Sequence, residues 1–146
     1  MNANNQFSSY IPAISDLGYT VWDIQHSTSA SFRLEIQADD RREVLSGRAD
    51  YLISLPDTTV ACARCVIEIQ SRDDLESCER QILAYIFLLM NTEGLGNLVG
   101  FLVRRDGNCR AFKATRNEEG GCVYHSNDIF HVCHIALMIR TIMATF

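Results

Sequence analysis

The run GRADYLIS (residues 47–54), the run CVIEIQSR (65–72) and the helix-forming segment beyond them with Gln81 and Tyr85 decide how this chain is read. In a strand, side chains two apart leave the sheet on the same face, so Glu68 and Gln70 project together while Ile67 and Ile69 point the other way. Asp50 lies on the first run, read as a strand over 43–54. If the two runs pair, Asp50 approaches Glu68 and two carboxylates meet where one divalent cation can bind. Glu68 is the residue hardest to explain by structure alone, because a carboxylate set in an apolar strand is rarely buried without a partner or a metal. The other members each have an ordinary reading: Asp50 as an acid bonding a turn, Gln70 at a sheet edge, Gln81 exposed, Tyr85 in the core with its hydroxyl at a polar rim.

Working outward, Phe32, Leu34 and Ile36 alternate with Arg33, Glu35 and Gln37, which predicts a half-buried strand. The charged turn at 38–42, the strand at 43–54, the turn Pro56-Asp-Thr-Thr59 and a strand over 61–71 predict an antiparallel meander of three strands. Asp73 or Asp74 is placed to cap a helix from Leu75 to about Met90, whose apolar positions recur at helical spacing. A strand over 98–104, a hairpin turn at Asp106-Gly107-Asn108 and a partner strand over 109–114 follow. Residues 117–121 read as a loop, and 129–145 as an apolar closing helix. At the other end, residues 1–6 are expected to be loose, a short helix covers 7–17 with Pro12 in its first turns, and 19–25 is strand-like. The expected fold class is α/β, a mixed central sheet flanked by helices, formed by one domain spanning 1–146.

The bulk numbers bound the function. A chain of 146 residues with 47% apolar and 21% charged residues is long enough to bury a core and is not compositionally disordered. Eighteen acids against 13 bases give a net charge of −5, which argues against a broad basic coat while leaving room for a local cationic groove. No run approaches the roughly 18 to 20 apolar residues of a membrane span, and the polar start lacks the shape of a signal peptide. An intracellular, soluble protein with reduced thiols is the expectation for the six cysteines. Cys62-Ala-Arg-Cys65 has CxxC spacing, but zinc needs two more ligands and no second knuckle is visible. No Gly-rich phosphate loop or Ser–His–acid arrangement is present.

With Asp50, Glu68-Ile-Gln70 and Gln81-x-x-x-Tyr85 in this order, the chain resembles the PD-(D/E)XK nuclease superfamily over about 43–114. GRAD is similar to that family's second-strand motif, in which a small or proline residue precedes a metal-binding Asp. Val66-Ile-Glu68-Ile-Gln70 is similar to its third-strand E-x-K, and Gln81 with Tyr85 to the Q-x-x-x-Y helix of its exonuclease-like branch. The resemblance implies a helix, three strands, helix, strand core and hydrolysis of nucleic-acid phosphodiesters. It implies that Asp50, Glu68 and the Ile69 carbonyl hold Mg²⁺ or Mn²⁺, hard cations that prefer oxygen ligands. Gln70 stands where the family usually has Lys, and would orient water by hydrogen bonds rather than by charge. Arg72 or Lys113 is then expected to supply the missing charge, and Gln81 and Tyr85, one turn apart on one helical face, to position DNA or RNA.

Two departures frame a rival. The family's first-helix acid has only Asp16, or Glu35 and Glu43 from strands, as candidates, and the lysine is absent. A nuclease-fold module without catalysis, binding nucleic acid or protein, is the alternative. Arg104-Arg105 and Arg110-x-x-Lys113 form the best local basic patch, read first as a solvated face. Ile135, Leu137, Met138, Ile139, Ile142 and Met143 make the closing helix more apolar than one buried stripe needs, which suggests a homodimer face.

Overall fold

The computed structural model describes residues 3–24, 32–38, 41–47, 50–55, 63–71, 73–93 and 96–144. Its centre is a six-stranded mixed sheet in the order β1-β4-β5-β6-β7-β8, formed by β1 (Thr20–Asp23), β4 (Tyr51–Ser54), β5 (Ala63–Ile69), β6 (Asn97–Val103), β7 (Asn108–Arg116) and β8 (Cys122–His131). Among the described strands only β5 and β6 run parallel, and the connection between them carries the helix α3 (Leu75–Glu93). A parallel pair needs such a crossover, whereas the antiparallel β6–β7 pair turns in place at Gly107, whose φ of 89° favours glycine. A separate two-stranded ladder, β2 (Phe32–Ala38) with β3 (Arg41–Gly47), packs on α3.

Alternation along the strands divides the core into two layers. Tyr51, Ile53, Cys65, Ile67, Val99, Phe101 and Ala111 face one side, where α1 (Ala3–Ser8), α2 (Ile11–Asp16) and α4 (Ile135–Met143) cover them with Phe7, Ile14, Ile135 and Ile139. Leu52, Val66, Leu98, Leu102 and Phe112 face the other side, under Cys78, Ile82, Ile86 and Leu89 of α3. The helix lies close on β6 because Gly100 offers no side chain there. A Cβ on Gly100 would stand 2.6 Å from the Ile86 Cδ1 atom. Asp74 caps α3, its carboxylate accepting from the Glu76 N–H at 3.0 Å and the Ser77 hydroxyl at 2.8 Å.

Mixed α/β architecture with helices on both faces matches the sequence reading, while several elements differ. The strand expected over 43–54 is two strands: β3 pairs with β2, β4 pairs with β1 and β5, and Asp50 sits in the bend just before β4. The three-strand meander is therefore β1, β4 and β5, with the β2–β3 hairpin set outside it. Residues 3–6, expected loose, belong to α1, and the helix over 7–17 is broken at Tyr10. The closing helix begins at Ile135 rather than 129, because residues 122–131 form β8 along β7. In α4, Ile135, Ile139, Ile142 and Met143 are buried in the chain's own core, and Leu137 is the residue left 58% exposed. None of the helices among the described residues is long and apolar enough to cross a membrane.

Candidate metal centre

β4 and β5 pair antiparallel with Tyr51 opposite Ile67, and one further step in that register sets Asp50 opposite Glu68. Cross-strand partners share a face, so both acids stand on the α3 side, in line with Leu52 and Val66. They also hold each other's backbone. The Ile69 N–H donates to the Asp50 carboxylate at 2.7 Å, and the Asp50 N–H donates to the Glu68 carboxylate. Ile24 N–H to the Asp50 carbonyl, 3.1 Å, fixes the bend from the β1 side.

Glu68 is only 4% exposed, and its Oε2 atom is buried with no hydrogen-bond partner. Burial, with the Asp50 charge next in weight and against the Asp50 N–H bond, pushes the Glu68 carboxyl up to about 9. Ser54, the other buried polar residue among those described, shows the usual solution: its hydroxyl accepts the Trp22 indole N–H at 2.9 Å. Glu68 has that solution only in part, through the Asp50 N–H, and its Oε2 atom lacks it. A divalent cation would meet the need, since it takes oxygen ligands and offsets the charge that burial penalises. Among the described residues no group of three or more His, Cys, Asp or Glu side chains gathers, so the side-chain donor set here is the two carboxylates.

Gln81 and Tyr85 meet on α3, the Gln81 amide donating to the Tyr85 hydroxyl at 2.6 Å in a half-buried position. At roughly 100° per residue, Gln81 lies about 160° and Tyr85 about 120° around the helix from Glu79. Glu79 is turned toward β6 and β7, so the Gln81–Tyr85 pair is on the flank of α3 nearer β5 and β4. Gln70 follows the end of β5, where its N–H donates to the Val103 carbonyl at 2.8 Å and its side-chain carbonyl accepts the Arg105 N–H at 2.9 Å. The side chain thus extends the β5–β6 ladder by one bond, and its acceptor end serves the sheet.

The expected sources of positive charge do not both fall here. Lys113 pairs with Val99, a residue of the opposite layer, so it stands on the far face of the sheet from Glu68. Arg72 lies outside the described residues. Asp16 is exposed on α2, also on the far side, and the side chains of Glu35 and Glu43 lie outside the described residues. Cys62 is outside them too, while Cys65 is fully buried and burial raises its thiol. The five described cysteines are free thiols.

Arg104 and Arg110, read from sequence as a solvated face, are instead drawn in against α3. Their side chains are 15% and 32% exposed and converge on Glu79, at 3.7 Å and 2.6 Å. Arg110 also lies over the Phe112 ring, 5.4 Å from its centroid. Glu79 was the residue missed: its spacing three before Ile82, near the apolar stripe of α3, was the available signal. No family model, curated protein or solved structure matches the chain.

Proposed function

We propose that this chain is a PD-(D/E)XK nuclease-like domain that hydrolyses phosphodiester bonds of DNA or RNA with Mg²⁺ or Mn²⁺. The observation that carries the reading is the buried, unpartnered Glu68 oxygen opposite Asp50. Asp50, Glu68 and the Ile69 carbonyl would hold the cation. When bound, such a cation activates water and stabilises the charge that develops on the phosphodiester. Gln81 and Tyr85 would meet the nucleic-acid backbone with a coupled amide and hydroxyl, both able to bond phosphate oxygens. Gln70 orders the 104–105 turn through its bond to the Arg105 N–H, and offers the site its amide rather than a charge.

Element order supports the same reading. With the β2–β3 hairpin treated as an insertion, the chain runs α2, β1, β4, β5, α3, β6, and β5 and β6 are parallel. This order is compatible with the helix, three strands, helix, strand core that the resemblance implies.

A second reading, a nuclease-fold module that binds nucleic acid or protein without cutting, is favoured by Gln70, which brings no cation and whose acceptor is engaged. Cleavage of single- and double-stranded DNA and RNA, with Mg²⁺ or Mn²⁺ and with chelator, separates the two. Metal-dependent cutting that disappears in Asp50→Ala and Glu68→Ala is expected. Cutting that persists in both variants would remove the assignment, and binding without cutting would leave the second reading.

A further inference from the structure

The sequence lacks a lysine beside Glu68, yet the fold supplies a cation from the neighbouring strand. Parallel pairing sets Glu68 beside Leu102, so the next residues on the same face, Gln70 and Arg104, are neighbours across β5 and β6. Leu102 in turn pairs with Arg110, which puts Arg110 in the Glu68 row and Arg104 in the Gln70 row, all on the α3 face. Two guanidinium groups there share a single carboxylate oxygen, Glu79 Oε1. Arg104 holds the looser of the two contacts, and its buried Nε atom has no hydrogen-bond partner. A guanidinium is planar and offers several donors in a fixed fork, the geometry that suits phosphate oxygens.

We propose that Arg104, with Arg110 behind it, is the phosphate-binding cation of this site, taking from β6 the place of the cation missing at Gln70, and that Glu79 holds the pair while no anion is bound. This deepens the nuclease-like reading and rests on it for the identity of the phosphate. Glu79 has an exchange role: an incoming phosphodiester oxygen competes with it for Arg104, whose Nε donor has no partner of its own.

The test measures fluorescence anisotropy of a short labelled oligothymidylate in calcium buffer, together with calorimetric titration of Mn²⁺ alone. Arg104→Ala is expected to weaken oligonucleotide binding by about tenfold and to lower the slope of log affinity against log salt by about one. Arg104→Lys, which keeps charge but loses the fork, should keep the slope and still bind more weakly. Glu79→Gln should bind severalfold more tightly, because the arginines lose their internal competitor. Mn²⁺ binding should be unchanged in all three. Wild-type affinity and salt slope in Arg104→Ala and in the Arg104→Ala/Arg110→Ala pair would overturn the proposal, as would a wild-type protein that takes up Mn²⁺ but not the oligonucleotide. Arginine-dependent oligonucleotide binding without Mn²⁺ uptake would keep the arginine assignment and remove the metal centre instead.

Discussion

The two faces of the central sheet are built from the same strands and differ in what they bury. Toward α1, α2 and α4, the described core is hydrocarbon, aromatic rings and thiols: Phe7 packs on Tyr51 with ring centroids 4.7 Å apart, and Phe101 on Phe130 at 5.6 Å. Toward α3, the hydrocarbon core ends in charge. Glu68 Oε2, Arg104 Nε and Arg64 Nη1 are the buried side-chain atoms without partners among the described residues. Alternation from Val66 and Leu102 puts all three on the α3 face. Unsatisfied buried polar atoms destabilise, so their gathering on one face marks where the molecule is adapted to something other than its own stability.

Four substitutions and two conditions, pH and Mn²⁺, would break or sharpen this contrast. The largest loss should come from the apolar face: Phe101→Ala should cost about 3–5 kcal/mol in urea denaturation, through lost burial and the cavity left behind. On the α3 face, the effect of pH should carry the unusual sign. The Glu68 carboxyl titrates near 9 when folded and near 4.5 when free, so the folded chain holds a proton that the unfolded chain releases. Its contribution is full below pH 4.5 and is lost as pH rises through about 9. Between pH 4.5 and 7 the metal-free protein should lose on the order of 3 kcal/mol, and Glu68→Gln should remove that slope. Mn²⁺ should flatten it in the wild type, since bound metal favours the charged form.

Smaller effects refine the picture. Gly100→Ala should cost about 1–3 kcal/mol, because the new methyl meets the Ile86 and Ile82 side chains between α3 and β6. Its effect on denaturation should exceed that of changing exposed Leu137 to Ser, which should be near zero if α4 serves only the chain's own core. A large fall in self-association in Leu137→Ser would instead point to α4 as a contact between copies.

Much of the scaffold was legible because local chemistry and tertiary structure agree. The helical spacing of α3, the Asp106-Gly107-Asn108 turn and the apolar run of β6 each state their form within a few residues. Glu68 stood out for the same reason, as a charge in an apolar strand. What was hidden depends on register. The division of this stretch into β3 and β4 cannot be read from its strand-forming residues, since only pairing separates the two. β8 was missed because CVYHSNDIFH lies at a sheet edge and mixes polar and apolar residues without regular alternation. Lys113 and Arg110 differ by an odd number of positions, which puts them on opposite faces, and the sequence does not say which face holds the acids. Arg104 and Glu79 meet only once the α3 crossover has set β6 beside β5.

A metal-dependent function stands or falls with the acid pair at the β4–β5 end. Calorimetric titration of Mn²⁺ into the wild type, Asp50→Asn and Glu68→Gln tests it directly. One site in the wild type, lost in both variants while each remains folded, is the expected result. Absence of binding up to millimolar metal, or equal binding by all three proteins, would contradict it.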